Sequence, residues 1–229
     1  MLFAVALAML WAGAPIHGEQ APHRIYFLGN SHTSSNDVPG LVRSLLVSGG
    51  FKVETEMATG GHLDDIEKNT GVKERIERGK WTHVVLQGAM ISSSHKYEYS
   101  QAGGIALAAR VKKAGAKALL FAEWPRKGWD ESDYIYKHYG MIQKEAGGEI
   151  LPVCFAWDAA LKAQPKLELW ASDGNHSNLA GAYLAACTIA YWIAGPESNL
   201  KFVPTGVDEK LAGTLKQTAR ATVASRKRA

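Results

Sequence analysis

Two kinds of segment alternate along this chain, and they differ in the spacing of their apolar residues. Short runs that are continuously apolar, or alternate with polar residues, are typical of β-strands. They cover residues 24–29, 51–57, 82–86, 117–123 and 149–155. Longer segments with apolar residues every three or four positions are typical of α-helices. They cover residues 38–48, 62–78, 100–113, 133–146 and 178–194. Residues 195–229 are less patterned, and we expect them to wrap the surface.

The alternation of strands and helices predicts the fold class. Strands joined through helices pair in parallel, and the helices then cover both faces of the sheet. We therefore predict an α/β domain with a mainly parallel sheet of five strands. In open sheets of this kind, the functional site lies beyond the carboxyl ends of the strands.

Polar or glycine residues follow the first four predicted strands at the expected place for a site. They are Ser31 after the first strand, Gly60 and Gly61 after the second, Gln87 and Gly88 after the third, and Glu123 with Trp124 after the fourth. A further pair, Asp173 and His176, precedes the last predicted helix. The predicted topology therefore gathers these residues at one edge of the sheet.

Three of these residues match the roles needed for nucleophilic catalysis. A serine hydroxyl is a weak nucleophile until a base activates it, and His176 is the candidate base for Ser31. Asp173 lies three positions earlier and can orient the imidazole. Each residue also has an ordinary alternative, because Ser31 suits a helix cap and Asp173 suits a turn or a cap.

Acyl transfer also needs hydrogen-bond donors for the developing oxyanion. The backbone N–H groups of Ser31 and of one of the adjacent glycines, Gly60 or Gly61, are candidates, and the side-chain amide of Gln87 is a third. The alternatives are a tight turn at the two glycines and an exposed strand end at Gln87.

Together these segments resemble the SGNH (GDSL-like) hydrolases, which are named for blocks that carry Ser, Gly, Asn and His. LGNSHT at residues 28–33 is similar to the first block, with Asn30 where many members have Asp. TGGHL at residues 59–63 is similar to the second, with Gly61 as the donor, and DGNH at residues 173–176 has the Asp-x-x-His spacing of the last.

The third block departs from the pattern of the family. Gln87-Gly88 stands where most members have Gly-x-Asn, and is similar to the Gln-Gly of some carbohydrate-esterase branches. The resemblance extends over residues 24 to about 195, most of the chain.

The resemblance implies a three-layer α/β/α sandwich with a flavodoxin-like, five-stranded sheet. It implies a serine esterase that forms an acyl-enzyme, with Ser31, Asp173 and His176 as the catalytic residues. Ser31, Gly61 and Gln87 would form the oxyanion hole, and no metal or organic cofactor would be needed. The expected substrate is a small acyl ester, with O-acetyl groups on carbohydrate as the candidate, and the polar and aromatic loop 91–103 could contact a sugar.

Three other interpretations of the sequence compete with a serine esterase. A non-catalytic carbohydrate-binding protein on the same fold remains the alternative, since the Asn of the third block is missing. An α/β-hydrolase elbow needs Gly-x-Ser-x-Gly, and Thr33 occupies the second glycine position. A nucleotide-binding protein would need a glycine-rich loop after the first strand, which residues 30–35 do not provide.

Length and charge indicate how many domains the chain forms and which partners it binds. With 229 residues, 46% of them hydrophobic, the chain can form one sizeable core, which we place in a single domain at residues 19–229. The net charge is +4, and the excess cations cluster in the last ten residues, which we expect to be a solvated terminus. No basic stripe interleaved with aromatic residues is present, so nucleic-acid binding is not expected.

The first residues predict export. Residues 2–15 are nearly all apolar or small, but too few to span a bilayer, which takes about 20 residues. We predict a secretory signal at residues 1–18, and therefore a secreted or periplasmic protein with no stable membrane span. A buried N-terminal helix is the alternative, because no Lys or Arg precedes the apolar run.

The two cysteines predict little chemistry. Cys154 lies in a strand-like run and Cys187 in a helix-like run, and both have apolar neighbours. Two buried thiols are expected, with one disulfide as the alternative in an exported protein. Zinc-binding spacing is absent.

Overall fold

A computed structural model describes residues 21–227 of the chain. Its centre is a five-stranded sheet in which every neighbouring pair is parallel, in the order β2-β1-β3-β4-β5. The strands are β1 (His23–Gly29), β2 (Val53–Thr59), β3 (His83–Leu86), β4 (Lys117–Phe121) and β5 (Glu149–Leu151). This is the strand order of flavodoxin-like sheets, so the predicted α/β fold is confirmed.

Helices cover both faces of the sheet. They are α1 (Ser31–Ser34), α2 (Val38–Ser48), α3 (Leu63–Lys68), α4 (Thr70–Arg78), α5 (Ala102–Lys113), α6 (Ser132–Ala146), α7 (Val153–Ala163), α8 (Leu179–Ala194) and α9 (Glu209–Arg226). A short 3-10 helix, Ser35–Asp37, joins α1 to α2.

Alternating side chains of the strands feed two separate cores. In β1, Ile25 and Phe27 pack with α2, α7, α8 and α9, whereas Tyr26 and Leu28 pack with α3, α4, α5 and α6. All four side chains are buried. A strand apolar on both faces is what a sheet covered by two helical layers requires.

The fifth strand is shorter than the sequence predicts. The run 149–155 is apolar throughout, but β5 ends at Leu151 and α7 begins at Val153. Pro152 between them lacks the N–H that would continue a strand ladder, and it suits the start of a helix. The sequence suggested a strand at Cys154, but this residue lies in the helix α7.

Two helical predictions also need correction. The expected helix 62–78 is broken at Asn69, whose side chain accepts a hydrogen bond from Val72 N–H at 3.2 Å and caps α4. The segment expected to be unpatterned contains α9, an 18-residue helix packed on α7 and α8. The cationic tail is thus helical as far as Arg226, instead of a loose terminus.

The predicted signal, residues 1–18, lies outside the described residues. Cys154 and Cys187 are free and buried, and burial raises the pKa of both thiols. Within residues 21–227 there is no helix of sufficient length and apolarity to cross a membrane.

Candidate active site

The first strand delivers Ser31 to the carboxyl edge of the sheet. β1 ends at Gly29, Asn30 caps the short helix α1, and Ser31 is the first helical residue, with an exposed side chain. A Cβ atom on Gly29 would lie 2.6 Å from Oε1 of Gln87. A side chain at position 29 would therefore displace the Gln87 side chain that lies against this turn.

The loop before α8 delivers Asp173 and His176. Asp173 Oδ1 accepts hydrogen bonds from the backbone N–H groups of Asn175 and His176, both at 2.9 Å. This Asx turn leaves Oδ2 free to contact the imidazole of His176. The hydrogen bond from His176, followed by those of the two backbone groups, lowers the pKa of Asp173 to about 2.

Ser31, His176 and Asp173 form a connected chain of hydrogen bonds. Nε2 of His176 lies 2.8 Å from Oγ of Ser31, and Nδ1 lies 2.5 Å from Oδ2 of Asp173. An ionised Asp173 accepts from Nδ1–H, which leaves Nε2 as the acceptor for the serine hydroxyl. The structure thus brings together the three residues that the sequence selected, in the order their proposed roles require.

Two further hydrogen bonds brace the loop that carries His176. Nδ2 of Asn36 donates to the carbonyl of Ser177 at 2.9 Å, and Nε1 of Trp124 donates to the carbonyl of Asn175 at 2.9 Å. Asn36 has a left-handed backbone, with φ of +57°. Asn36, just beyond α1, and Trp124, just beyond β4, therefore hold both sides of the His176 loop.

The ring of His32 forms a wall beside His176. It lies between Trp124 and His176, with ring centroids 5.1 and 5.2 Å away. Burial, followed by the charge of His176, lowers the pKa of His32 to about 4. The His32 ring is therefore neutral near pH 7, and its low pKa makes it too weak a base to be favoured as the acceptor of the serine proton.

Gln87 is not placed to act as the predicted oxyanion donor. Its side chain is fully buried, and its Oε1 accepts from the backbone N–H of Asn30 and from Oγ1 of Thr33, both at 2.9 Å. Its Nε2 atom is buried without a hydrogen-bond partner within residues 21–227, and the side chain does not line the cavity described below. The predicted role of Gln87 as an oxyanion donor is therefore corrected. Its side chain instead stabilises the turn that carries Ser31, through its hydrogen bonds with Asn30 and Thr33.

Gly61 lies where the sequence placed it, beside the first strand end. Gly60 N–H donates to the carbonyl of Gly29 at 2.9 Å, and Leu63 N–H donates to the carbonyl of Gly88 at 2.8 Å. These bonds draw the loops after β2 and β3 against the loop that carries Ser31. Gly61 itself is exposed, and its role as a donor stays a prediction.

A cavity of about 180 Å³, with both polar and apolar walls, lies against the loops that carry Ser31 and His176. Asn30 and His32, which flank Ser31, line it together with Asn175, which precedes His176. Its other polar and charged walls are His62, Ser92, Ser93, Glu123, Arg126 and Glu131. Such a site is small compared with the roughly 300–1,000 Å³ of pockets that hold drug-sized ligands.

Glu123, at the end of β4, belongs to a buried network at the floor of this cavity. Tyr139 donates to Glu123 Oε2 at 2.5 Å, and its hydroxyl accepts from Gly88 N–H at 3.0 Å and Ala89 N–H at 3.3 Å. Burial raises the pKa of Glu123 to about 7 despite these polar neighbours. The sequence indicated Glu123 only as a strand-end residue, and its partner Tyr139, in α6, was missed.

The raised pKa of Glu123 predicts a dependence of stability on pH. Its ordinary value is 4.5, so between about pH 4.5 and 7 the folded state binds more protons than the unfolded chain. Stability conferred by Glu123 is therefore present at low pH and is lost as the pH rises through 7. Relative to Glu123→Gln, we expect the free energy of unfolding of the wild type to fall by about 1–3 kcal/mol from pH 5 to pH 8.

Urea unfolding of both proteins at several pH values measures this difference. Groups that titrate equally in the two proteins cancel, and Gln keeps an oxygen to accept from Tyr139. A difference that stays constant over pH 5–8 would contradict the prediction.

A strip of aromatic rings, here called the aromatic ledge, continues from the cavity wall. It consists of Trp129, His95, Tyr134 and Tyr97. The Arg126 guanidinium lies 4.2 Å from the Trp129 ring centroid, and the His95 centroid lies 4.0 Å from that of Tyr134. Trp129 and Tyr97 are 52% and 65% exposed. Large exposed aromatic surface beside a pocket marks a place where a ligand can stack.

A salt bridge and a hydrogen bond fix the base of this ledge. Glu131 is buried, and it pairs with Arg126 at 2.8 Å and with Nε2 of His95 at 3.2 Å. The hydrogen bonds of Arg126 outweigh burial and hold the pKa of Glu131 below its usual value.

Within residues 21–227, no group of three or more His, Cys, Asp or Glu side chains is arranged to hold a metal ion.

Comparison with known proteins gives matches among solved structures alone. No family model matches the sequence, and no curated protein matches it. A protein of Slackia heliotrinireducens described as an SGNH hydrolase is 24% identical, with a TM-score of 0.58 over 74% of this chain and 98% of its own.

Two solved esterases share the same fold at lower identity. A family 3 carbohydrate esterase of Clostridium thermocellum is 13% identical, with a TM-score of 0.56 over 75% of this chain and 94% of its own. The esterase EstA of Pseudoalteromonas is 17% identical, with a TM-score of 0.54 over 76% of this chain and 100% of its own. The predicted resemblance to SGNH hydrolases is thus confirmed at the level of the fold.

Proposed function

We propose that this protein is a serine esterase that hydrolyses small acyl esters through an acyl-enzyme. One observation carries the proposal: Ser31 Oγ lies 2.8 Å from His176 Nε2, across 145 positions of sequence, and His176 contacts Asp173 through its other nitrogen. A helix cap or a turn needs neither contact. Nucleophile, base and orienting carboxylate are the three roles of a catalytic triad.

The proposed reaction proceeds in two steps. His176 Nε2 takes the proton of Ser31 as Oγ attacks the ester carbonyl, and Asp173 stabilises the resulting imidazolium. When the tetrahedral intermediate collapses, His176 donates that proton to the leaving alcohol. A water molecule then attacks the acyl-enzyme with His176 again as base, and Ser31 leaves with its proton restored. The backbone N–H groups of Ser31 and Gly61 are proposed to hold the oxyanion, as the sequence suggested.

The size and the walls of the cavity support a short acyl group on a polar alcohol. A volume of about 180 Å³ suits an acetyl group better than a long acyl chain, and Glu123, Arg126 and Glu131 place charged groups on the wall. The aromatic ledge offers faces on which a sugar ring can stack. We therefore propose O-acetyl groups on carbohydrate as the substrate class, and an exported enzyme, as the apolar run at residues 2–15 suggests.

One observation favours the non-catalytic alternative, a carbohydrate-binding protein on the same fold. The amide of Gln87 is buried, so the third donor predicted for the oxyanion hole is absent from that position. Such a protein would bind glycans at the ledge without cleaving them.

A series of p-nitrophenyl esters tests the proposed substrate class. We expect the acetate ester to be cleaved at least about 10-fold faster, in kcat/KM, than the octanoate, because the cavity excludes the longer chain. We also expect the protein to release acetate from an acetylated oligosaccharide. A preference for octanoate would contradict the small-acyl proposal. If the folded protein binds the oligosaccharide but cleaves no ester, the binding alternative is correct.

A further inference from the structure

We propose that the side-chain amide of Asn30 is the third oxyanion donor of this site, in place of Gln87. This role rests on the proposed esterase function and adds a catalytic residue to it. Asn30 directly precedes Ser31, and it lines the cavity with Gly88 and His62. Asn30 therefore faces the cavity from the loop that carries the nucleophile.

Hydrogen bonding fixes which way the Asn30 amide points. Its Oδ1 accepts from the backbone N–H of His32 at 3.0 Å. A flipped amide would set its NH₂ group against that N–H, donor against donor. The Asn30 backbone N–H is held in turn by Gln87 Oε1 at 2.9 Å. Both ends of the residue are therefore fixed, with Nδ2 turned away from α1.

The direction of Nδ2 is given by its neighbours on the next two loops. A Cβ atom added to Gly88 would lie 3.3 Å from Nδ2 of Asn30 and 3.3 Å from the carbonyl oxygen of Gly61. Nδ2 thus faces the gap between the loops after β2 and β3, beside the proposed donor Gly61. An amide donor at this position meets the need that Gln87 leaves unfilled.

The first residues of the loop after β3, Gln87 to Ala89, leave no hydrogen-bond donor free to face the cavity. The N–H groups of Gly88 and Ala89 both donate to the buried hydroxyl of Tyr139, at 3.0 and 3.3 Å. The Gln87 side chain is fully buried below them. The amide of Asn30 is the side-chain donor from the nucleophile loop itself, and it is held in place before substrate arrives. Preorganised donors of this kind stabilise the transition state most.

Asn30→Asp tests this role with almost no change of shape. Aspartate keeps the oxygen that caps α1, since Asp and Asn are equally good caps, and it loses the donor. Removal of one oxyanion donor typically costs about 10²–10³ in kcat, and we expect that loss with KM changed less than about 3-fold. Asn30→Ser, also a good cap but neutral and too short to reach, should show the same loss, which separates the missing donor from the added charge.

A tetrahedral inhibitor provides the readout that a structural role would not move. A trifluoromethyl ketone forms an adduct on Ser31 with an oxyanion, and both variants should bind it about 10²–10³-fold more weakly. Asn69→Asp is the matched control, because Asn69 caps α4 through the same kind of bond but lies outside the cavity. It should leave kcat and inhibitor affinity unchanged.

Two results would overturn the role, and they are distinguishable. If the wild type is active and both Asn30 variants keep kcat within about 3-fold, Asn30 is a cap only. If the folded wild type cleaves no ester, the proposed function fails and the role of Asn30 fails with it.

Discussion

Replacing Ser31 with alanine is expected to lower kcat for p-nitrophenyl acetate by about 10⁴-fold or more, because the acyl-enzyme can no longer form. Stability should hardly change, since the Ser31 side chain is exposed and its partner His176 stays in contact with Asp173. The rate is measured by release of p-nitrophenol, and folding by circular dichroism.

Ser34→Ala provides a matched control for this substitution. Ser34 lies one turn away on the same short helix, and Ser31, not Ser34, contacts His176. The control should keep the wild-type rate within about 3-fold. Equal rates in Ser31→Ala and the wild type would show that Ser31 is not the nucleophile.

Asp173→Asn is expected to lower kcat by about 10³–10⁴-fold at pH 7. Asparagine keeps an oxygen for the backbone N–H groups of Asn175 and His176, so the turn should persist. It cannot carry the negative charge that stabilises the imidazolium, and its NH₂ group favours the wrong tautomer of His176. The loss should therefore appear in kcat, measured with the same ester, without unfolding the loop.

Asp208→Asn is the corresponding control. Asp208 caps α9 by accepting from Leu211 N–H at 3.0 Å, so the substitution makes the same chemical change at an exposed turn outside the site. It should leave kcat at the wild-type value. Similar small effects of both substitutions would contradict the role proposed for Asp173.

The sequence contained enough information for the fold because burial on two faces leaves a strong pattern. β1 is buried at consecutive positions from Ile25 to Gly29, and β3 along its whole length. Continuous apolar runs of this length, alternating with helical periodicity, have few solutions other than a covered parallel sheet. The five strands were therefore predictable, whereas their ends were not: Pro152 decided where β5 stops.

The helices α7 and α9 were missed for different reasons. α7 is apolar and follows β5 after a single residue, so its first turn reads as a continuation of the strand. α9 buries Ala212, Leu215, Ala219 and Val223, which do have helical spacing, but alanines between polar residues give a weak signal. Both α7 and α9 are stabilised by packing against α8, and the sequence pattern alone does not show that contact.

The candidate site was predictable in its positions but not in its orientations. Ser31, Asp173 and His176 follow from strand ends and spacing, since the topology dictates where those loops lie. Which way an amide turns depends on partners distant in sequence. Gln87 is drawn below the site by Asn30 and Thr33, across more than fifty positions, and Asn30 is left facing the cavity instead. A local sequence pattern cannot predict hydrogen bonds between residues so far apart in the chain.

The pairing of Glu123 with Tyr139 illustrates the same limit. A glutamate beside a tryptophan at a strand end is equally compatible with packing against a helix and with a pocket. α6 places the Tyr139 hydroxyl between Glu123 and the backbone of Gly88, and this contact makes the carboxylate part of the floor of the site.

Labelling with a fluorophosphonate tests the central claim most directly, because the probe reacts with an activated serine whatever the natural substrate is. The folded wild-type protein is treated with the probe, digested, and analysed by mass spectrometry, with Ser31→Ala alongside. The account predicts one adduct, on the peptide that contains Ser31, and none in the variant. No adduct on the folded wild type, or one that persists in Ser31→Ala, would contradict a catalytic triad of Ser31, His176 and Asp173.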